Sequence, residues 1–240
     1  MTSAPPFTVK IVPVTPFQQN CAIIRAGSGK AAVVDPGGEP DKIMAAAREM
    51  NAEIVKIWLT HGHLDHAGAA EELKRRTGAP IEGPHKEEVF WLTQIRESWR
   101  KFGIEDGEDC TPDRWLDDGD VLELDGLTFD VVYTPGHTPG HVVIFNREAR
   151  IAFVGDVLFA GSIGRTDFPR GDHQALIRSI TEKLWPLGED MRFLPGHGPM
   201  STFGRERQTN PFVGDHLTGY HGAKVEAPDA LAQRTTKRWT

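Results

Sequence analysis

Residues 60–66 of this 240-residue chain read Thr-His-Gly-His-Leu-Asp-His, directly after a short apolar run at residues 54–59. The run is rich in β-branched residues, which predicts a buried strand that ends where the histidines begin. Side chains two residues apart in an extended segment share a face, so the first two histidines can reach one ion. The turn that follows would carry the aspartate and the third histidine to a second ion. Because imidazole and carboxylate suit zinc, iron and manganese, the stretch predicts a metal site.

Three later stretches place a histidine or an aspartate at the same kind of position, directly after a predicted strand. They are Thr-Pro-Gly-His-Thr-Pro-Gly-His at residues 134–141, Phe-Val-Gly-Asp at residues 153–156 and Pro-Gly-His-Gly at residues 195–198. Glycine lets the backbone turn sharply, so the side chains can converge. If the four strands end at one edge, their loops line a single cleft that holds His137, Asp156 and His197.

Strands and helices are predicted in both halves of the chain from the spacing of apolar residues. The predicted strands are residues 7–12, 21–24, 31–35, 54–59, 121–124, 127–133, 142–145, 151–154 and 191–194. The predicted helices are residues 41–50, 69–76, 86–102 and 174–184, and a glycine-rich loop spans residues 160–171. The second half loosely repeats the first, which favours two sheets packed face to face with helices outside. Periodicity alone leaves other layered α/β folds open.

Composition and charge favour a protein that acts on small molecules. The chain has 39% hydrophobic and 25% charged residues, with a formal net charge of −7. This acidic balance argues against a nucleic-acid surface and against binding to anionic membranes. The cysteines, Cys21 and Cys110, are expected to be buried or neutral side chains. With no signal-peptide pattern and no apolar run of about 18 residues, we expect a cytoplasmic protein without a spanning helix.

The order His-x-His-x-Asp-His at residues 61–66, followed by the later histidine and aspartate motifs, resembles the metallo-β-lactamase superfamily. The resemblance covers most of the chain, from about residue 35 to the last of these motifs. It implies an α/β fold built as a four-layer αββα sandwich with the metals at one edge. We therefore expect a single domain over residues 1–240, with a core at about residues 7–200 and a short tail at residues 201–240.

The resemblance also implies two bound divalent ions, with zinc as the first expectation and iron or manganese as alternatives. The ligands of the first ion would be His61, His63 and His137, and those of the second Asp65, His66 and His197. Asp156 would bridge the two ions. In some related mechanisms the residue matching Asp65 also carries a proton, so Asp65 and Asp156 are the predicted catalytic residues.

Within the superfamily, the chain resembles the glyoxalase II-like group of hydroxyacylglutathione hydrolases, in particular a short bacterial branch. The stretches that carry this resemblance are residues 155–159, 161–168, 195–199 and 206–212. They imply hydrolysis of thioesters such as S-lactoylglutathione by a metal-bridging hydroxide. A thiol has a pKa of about 8.5, so a thiolate can leave without a strong general acid. The expected partner is a small-molecule thioester, glutathione-linked in this group, and the expected state is a monomer or small homo-oligomer.

One departure from that group concerns the thiol carrier. Full-length glyoxalase II enzymes have a helical C-terminal domain that supplies basic contacts to glutathione, whereas only 43 residues follow His197 here. We therefore expect tolerance of a wider range of carriers, with a residual contact from the glycine-rich loop. Arg165 is the predicted substrate-binding residue, and an ion pair with Asp167 is its equal alternative.

A second enzyme class also matches these motifs. Persulfide dioxygenases share the fold, the His-x-His-x-Asp-His segment and a Gly-Arg-Thr-Asp-Phe loop like residues 164–168. They use one iron, which by resemblance would bind His61, His137 and Asp156. Bound metal and oxygen consumption with glutathione persulfide distinguish the two classes.

The other candidate residues have supporting or structural roles. His141 is expected to support the site or start the next strand rather than to bind metal. Asp35 either orients a ligand histidine, because such imidazoles donate their second N–H to a partner, or caps its turn. Trp91 and Trp99 are predicted to pack in the core beneath the 86–102 helix. The histidines predicted to lie on the surface are His85, His173, His216 and His221.

Overall fold

Two β-sheets lie face to face in the computed structural model, which describes residues 6–105 and 107–218. The first sheet has five strands in chain order: β1 (Phe7–Val14), β2 (Gln19–Ala26), β3 (Lys30–Val34), β4 (Glu53–Trp58) and β5 (Ile81–Glu82). β1, β2 and β3 pair antiparallel, whereas β3, β4 and β5 pair parallel. Parallel neighbours need a long crossover connection, and helices supply it at both places.

The second sheet is built from the other half of the chain. Its strands are β6 (Val121–Leu124), β7 (Leu127–Tyr133), β8 (Val142–Asn146), β9 (Ile151–Gly155), β12 (Arg192–Pro195) and β13 (Ser201–Thr202). They lie in the order β13-β12-β9-β8-β7-β6, with β9 and β12 parallel and the other neighbours antiparallel. The short strands β10 (Leu158–Phe159) and β11 (Ser162–Ile163) form a separate hairpin after β9.

Helices connect the strands and cover the outer faces of the sheets. They are α1 (Pro40–Glu49), α2 (Leu64–Ala67), α3 (Ala70–Thr77), α4 (Val89–Leu92), α5 (Ile95–Arg100), α6 (His173–Arg178), α7 (Phe203–Thr209) and α8 (Asp215–Thr218). α6 continues in wider turns over Ser179–Leu184 and a tight turn at Trp185–Leu187. Among the described residues, no helix is long and apolar enough to cross a membrane.

Three apolar clusters fill the spaces between these layers. The middle cluster lies between the sheets, where the rings of Trp58 and Phe129 have centroids 4.9 Å apart. One outer cluster includes Leu73 of α3 and packs on the first sheet, and the other includes Phe203 of α7 and packs on the second. Burying one such side chain contributes about 1.5–3 kcal/mol. The layers run helix, sheet, sheet, helix, which confirms the predicted αββα sandwich.

Both cysteines lie in the core, as predicted. Cys21 on β2 and Cys110 in the loop before β6 belong to the outer cluster of the first sheet. Burial raises the pKa of both thiols, so they are neutral side chains that contribute packing.

The segment at residues 86–102 departs from the prediction of one continuous helix. The structure has α4 and α5, with a break at Thr93 and Gln94. Thr93 Oγ1 donates to the Val89 carbonyl (2.8 Å) and Gln94 Nε2 donates to the Phe90 carbonyl (2.6 Å). Side chains that bond to carbonyls four residues earlier compete with the helix and bend it. Val89, the first residue of α4, is 46% exposed.

The packed structure continues past residue 200, where the core was expected to end. Ser201–Thr202 pairs with β12, and Phe203 and Val213 are buried in the outer cluster of the second sheet. The packed structure therefore extends beyond residue 200 as far as Val213, and α7 is too short for apolar periodicity to mark it.

Candidate metal centre

The four motif loops meet at one edge of the sandwich. β4, β9 and β12 run towards this edge, and the connection from β7 to β8 lies beside them. The structure brings all seven predicted ligands together there, namely His61, His63, Asp65, His66, His137, Asp156 and His197. Each comes from a loop or the first turn of a helix, where a side chain can be aimed independently of the sheet.

A close backbone approach at Gly196 makes this convergence feasible. A Cβ on this residue would lie 2.1 Å from Asp156 Oδ1 and 2.5 Å from His66 Cε1. The Gly196 N–H also donates to the Gly155 carbonyl (2.8 Å), which joins the ends of β12 and β9. A larger residue would push two candidate ligands aside, so glycine is required before His197.

Three buried histidines form the first group of candidate ligand atoms. His63 Nδ1 lies 3.1 Å from His61 Nε2 and 3.0 Å from His137 Nε2. In a tetrahedral site with zinc–nitrogen bonds of about 2.1 Å, neighbouring nitrogens lie about 3.4 Å apart. The spacing therefore suits three nitrogens that share one small ion.

The second group consists of Asp65, His66 and His197. His197 Nε2 lies 3.2 Å from Asp65 Oδ2, and His66 Nε2 lies 4.0 Å from the same oxygen. His66 is fully buried, whereas the His197 side chain is 30% exposed. This group therefore opens to solvent, and a substrate can reach it.

Asp156 lies between the two groups. Its Oδ1 is 3.3 Å from His66 Nε2, and its Oδ2 is 3.6 Å from His137 Nε2 and 3.8 Å from His197 Nε2. Burial disfavours the charged carboxylate, but the histidines around it, above all His66, hold the pKa of Asp156 well below its ordinary value. Asp156 is thus a carboxylate that both groups of ligands can share.

Two histidines are oriented by the ring nitrogen that faces away from the centre. His137 Nδ1 donates to the Arg165 carbonyl (2.7 Å), and His197 Nδ1 donates to the Phe17 carbonyl (3.1 Å). Such bonds fix the tautomer, because the proton stays on Nδ1 and the lone pair stays on Nε2. In both residues Nε2 is the atom that faces the other candidate ligands.

Asp35 orients a third histidine. Its Oδ2 accepts from His66 Nδ1 (2.9 Å) and from Thr60 Oγ1 (2.6 Å), and its Oδ1 accepts from the Thr60 N–H (2.7 Å). Thr60 Oγ1 also lies 3.1 Å from His61 Nδ1. Of the two roles predicted for Asp35, the structure has the orienting one, since this buried carboxylate contacts the ring nitrogen opposite the ligand atom.

His141 supports the site from behind. Its ring stacks on that of His61, with centroids 4.6 Å apart, and its Nε2 accepts the Asp156 N–H (3.1 Å). Burial, followed by the charge of nearby histidines, lowers the pKa of His141 well below its ordinary value, so Nε2 is free to accept this bond. The residue holds the backbone of Asp156 in place.

Burial keeps most imidazoles of the centre neutral. Burial and the neighbouring histidines lower the pKa of His61 and His63 well below the ordinary histidine value. His66 and His197 are the exceptions. The carboxylates of Asp156 and Asp65 outweigh the burial of His66 and hold its pKa well above the ordinary value, and the hydrogen bond to Asp65 raises the pKa of His197. Neutral imidazoles beside carboxylates are the forms that bind a metal ion.

The donor atoms fit divalent metal ions. Among the described residues, His66 Nε2 and Asp156 Oδ1 are buried without a hydrogen-bond partner, although an unpaired buried polar atom costs about 1–3 kcal/mol. Both atoms belong to side chains that already face other candidate ligands. A bound cation would satisfy them, and their nitrogen and oxygen chemistry suits zinc, iron or manganese.

Glu88, just before α4, is a site residue that no sequence motif marks. Its Oε2 accepts the Gly62 N–H (2.8 Å), and its Oε1 accepts the Gly140 N–H (2.6 Å). Burial raises the pKa of Glu88 to about 7. One carboxylate thus ties together two of the histidine-bearing loops. In the sequence it is one charged residue within an amphipathic stretch, a pattern typical of an exposed helix face.

Trp91 lies against the site, so its prediction as a helix-core residue was wrong. Its ring meets that of His63 edge to face, with centroids 4.6 Å apart, and Phe168 lies 5.0 Å from the same histidine. Because the predicted helix breaks after α4, Trp91 and Trp99 do not belong to one continuous face. Trp99 is buried in the outer cluster of the first sheet, as predicted.

Arg165 lies in the loop after Asp156, and its main chain rather than its side chain contacts the centre. Its guanidinium donates to both carboxylate oxygens of Asp167 (2.7 and 2.6 Å) and lies 4.2 Å from the ring centroid of Phe168. The structure therefore has the predicted alternative, the ion pair. A substrate contact from Arg165 stays a prediction.

Of the four histidines predicted to lie on the surface, two are exposed, one is half-buried and one lies outside the described residues. His173 and His216 are exposed, and His221 lies outside the described residues. His85 is half-buried, because its ring lies 4.5 Å from that of Tyr133 on β7. Tyr133 is distant in sequence, so no local pattern predicts this contact.

Known sequences include relatives that cover most of this chain. The sequence pattern of the metallo-beta-lactamase superfamily matches residues 14–197. A relative named hydroxyacylglutathione hydrolase GloC, from Haemophilus influenzae, is 45% identical over 206 residues, which cover 85% of this chain and 97% of the relative.

Two solved structures are also similar over nearly their whole length. The crystal structure of the BLEG-1 B3 metallo-β-lactamase has a TM-score of 0.80 at 35% identity, covering 86% of this chain and 99% of that one. The structure of TTHA1623 in a di-iron-bound form has a TM-score of 0.77 at 36% identity, covering 85% and 99%.

Proposed function

The chain belongs to the metallo-β-lactamase superfamily, and on that premise we propose that it is a metal-dependent hydrolase of thioesters such as S-lactoylglutathione. One observation carries the proposal: two groups of candidate ligands share a single carboxylate, Asp156, at the open edge of the sandwich. The 45% identity to a relative named hydroxyacylglutathione hydrolase supports this substrate class.

We assign two divalent ions to the site. One would be held by His61, His63 and His137, and the other by Asp65, His66 and His197, with Asp156 contacting both. Zinc is the first expectation, and iron and manganese are alternatives. The di-iron form of the relative TTHA1623 supports keeping iron among them.

When bound, such a pair of ions lowers the pKa of a water molecule and polarises the carbonyl of the substrate. The protein's own part is to hold the donor atoms ready, through the bonds that fix His66, His137 and His197 from behind. Asp65 Oδ2 lies 3.2 Å from His197 Nε2 in the group that opens to solvent, and we assign to this carboxylate the uptake of a proton from the attacking water.

The proposed reaction adds water across the bond between the acyl carbon and the sulfur. A C–O bond forms, the C–S bond breaks with its electron pair on sulfur, and a proton of the water ends on the thiolate. A thiol has a pKa of about 8.5, so this leaving group needs no strong acid from the protein. The reaction therefore suits thioesters better than amides.

The direct test is to incubate the purified protein with S-lactoylglutathione and follow loss of thioester absorbance. We expect one lactate and one glutathione per thioester, loss of activity with a chelator, and recovery with Zn²⁺. An oxygen electrode with glutathione persulfide tests the dioxygenase alternative. Oxygen uptake without thioester cleavage, with one iron on His61, His137 and Asp156, would overturn the proposal.

A further inference from the structure

Beside the first ligand group, aromatic rings build one side of the site. The ring centroid of His63 lies 4.6 Å from that of Trp91 and 5.0 Å from that of Phe168, and the centroids of Phe90 and Trp91 are 5.1 Å apart. We refer to Phe90, Trp91 and Phe168 as the aromatic wall. It comes from α4 on one side and from the loop after β11 on the other.

An arginine side chain packs on the ring at each end of the aromatic wall. The guanidinium carbon of Arg165 lies 4.2 Å from the ring centroid of Phe168, and that of Arg170 lies 4.3 Å from the ring centroid of Phe90. Stacking on an aromatic face holds a guanidinium in position by cation–π attraction and leaves its N–H groups free to bind an anion.

The two arginines differ in whether they form a salt bridge with a carboxylate. Arg165 makes a two-point ion pair with Asp167. Arg170 is exposed and makes no salt bridge within the described part of the chain, although its charge acts on the buried carboxylate of Glu88. In a protein with a net charge of −7, an arginine without a salt bridge adds local positive charge beside the site.

The backbone at Arg170 is strained in a way that fixes this position. Gly171 N–H donates to the Phe168 carbonyl (2.9 Å), and Arg170 has φ of 67°, after Pro169. This is the pattern of a type II turn, whose third residue is normally glycine because it needs a positive φ. The chain places arginine there instead, and the turn fixes the backbone of the residue that stacks on Phe90.

We propose that Arg170 binds a carboxylate of the substrate's thiol carrier, so that the enzyme prefers thioesters of anionic thiols. The aromatic wall lies between this carboxylate contact and the ligand groups, and the apolar part of the carrier packs along it. The inference rests on the proposed function, since it names the substrate class of that same site. Glutathione, with two carboxylates, has the required chemistry.

The kinetic test compares two thioesters that share one acyl group: S-lactoylglutathione and the neutral S-lactoyl-N-acetylcysteamine. Arg170→Gly is the informative variant, because glycine suits the turn and keeps the protein folded. We expect its KM for the glutathione thioester to rise about tenfold or more with kcat changed less, the mark of lost uniform binding. Its KM for the neutral thioester should stay within about twofold of the wild-type value.

Two further variants make the comparison specific. Arg147→Ala is the matched control, because Arg147 also stacks on a ring, that of Phe145 at 5.0 Å, but at the opposite end of the sheet. It should change neither KM. Arg165→Ala should raise KM for the glutathione thioester less than Arg170→Gly does. A larger effect from Arg165→Ala, or an unchanged KM ratio in Arg170→Gly, would overturn the inference while thioester hydrolysis stands.

A binding measurement separates this inference from the proposed function. S-methylglutathione is a thioether that cannot be hydrolysed, and its affinity can be measured by calorimetry on the metal-loaded protein. We expect Arg170→Gly to bind it about tenfold more weakly, with Arg147→Ala unchanged. Equal affinities, or no wild-type binding at millimolar concentration, would contradict the role of Arg170. Failure of the wild-type protein to cleave either thioester would instead contradict the proposed function.

Discussion

Two parts of the site are held in place by different means. The ligand layer consists of the seven candidate ligands, and the rim consists of Arg165 and Arg170. In the ligand layer, Nδ1 of His66 and Nδ1 of His137 each make a hydrogen bond on the side of the ring away from the centre. The backbone N–H of Asp156 is held by His141. On the rim, Arg165 and Arg170 are held by stacking and by one strained turn. We therefore expect changes in the ligand layer to act on metal binding and changes on the rim to act on substrate preference.

The largest effect is expected in the ligand layer, from Asp156→Ala. Without the shared carboxylate two cations at close range repel, so both should bind more weakly. We expect thioester hydrolysis to fall on the order of 10³-fold, measured by initial rates alongside bound metal per chain. The control is His173→Ala, an exposed histidine outside the motifs, which should keep activity within about twofold. Similar losses from both variants would show that Asp156 is not the shared residue.

The next effect tests the orienting bonds of the ligand layer, through Asp35→Asn. The amide can no longer accept all the bonds that Asp35 receives from Thr60 and His66. We expect metal affinity to drop about 10–100-fold, measured by competition with a chromogenic chelator. Asp172→Asn is a matched control, because Asp172 caps α6 through the Ala175 N–H (2.9 Å). Equal affinity in wild type and Asp35→Asn would mean that Asp35 only stabilises its turn.

A smaller effect should appear in stability rather than in metal binding, from Glu88→Gln. The pKa of Glu88 is about 7 in the folded protein, above the ordinary 4.5. Protonation of Glu88 therefore stabilises the folded state fully below pH 4.5. This stabilisation is lost as the pH rises through about 7. Between pH 5 and 8, the unfolding free energy should fall more steeply in wild type than in Glu88→Gln, by up to about 3 kcal/mol. Denaturant unfolding with chelator present measures this, and parallel curves would count against a buried, titrating Glu88.

The smallest effect is expected on the rim, from Arg165→Ala on protein stability. An exposed ion pair such as that between Arg165 and Asp167 contributes little to stability, because water and salt screen both charges. Thermal unfolding should therefore show a shift of only a few degrees or less. A large loss of stability or of bound metal would mean that this loop also belongs to the ligand layer.

The same division between ligand layer and rim determines how much could be predicted from the sequence. All seven candidate ligands lie in short motifs directly after strands, where histidine, aspartate and glycine together are typical of a metal site. The αββα layers follow from apolar spacing together with the family resemblance. Neither prediction requires knowledge of a contact between distant residues.

The residues that could not be predicted make contacts across the fold. Glu88 and Trp91 lie in a stretch with the pattern of one amphipathic helix, and only the break at Thr93 and Gln94 turns them towards the site. Arg170 stands out only once its φ and its position on Phe90 are known. These features depend on side chains brought together by tertiary packing, which a local sequence pattern does not report.

The central claim is that two ligand groups share Asp156 and hold two ions. The most direct test is elemental analysis of the purified protein after loading with zinc or iron and removal of free metal. We expect close to two ions per chain, bound by ligands in both groups. A firm value of one ion per chain, with iron as that metal, would contradict the two-ion centre and favour the dioxygenase.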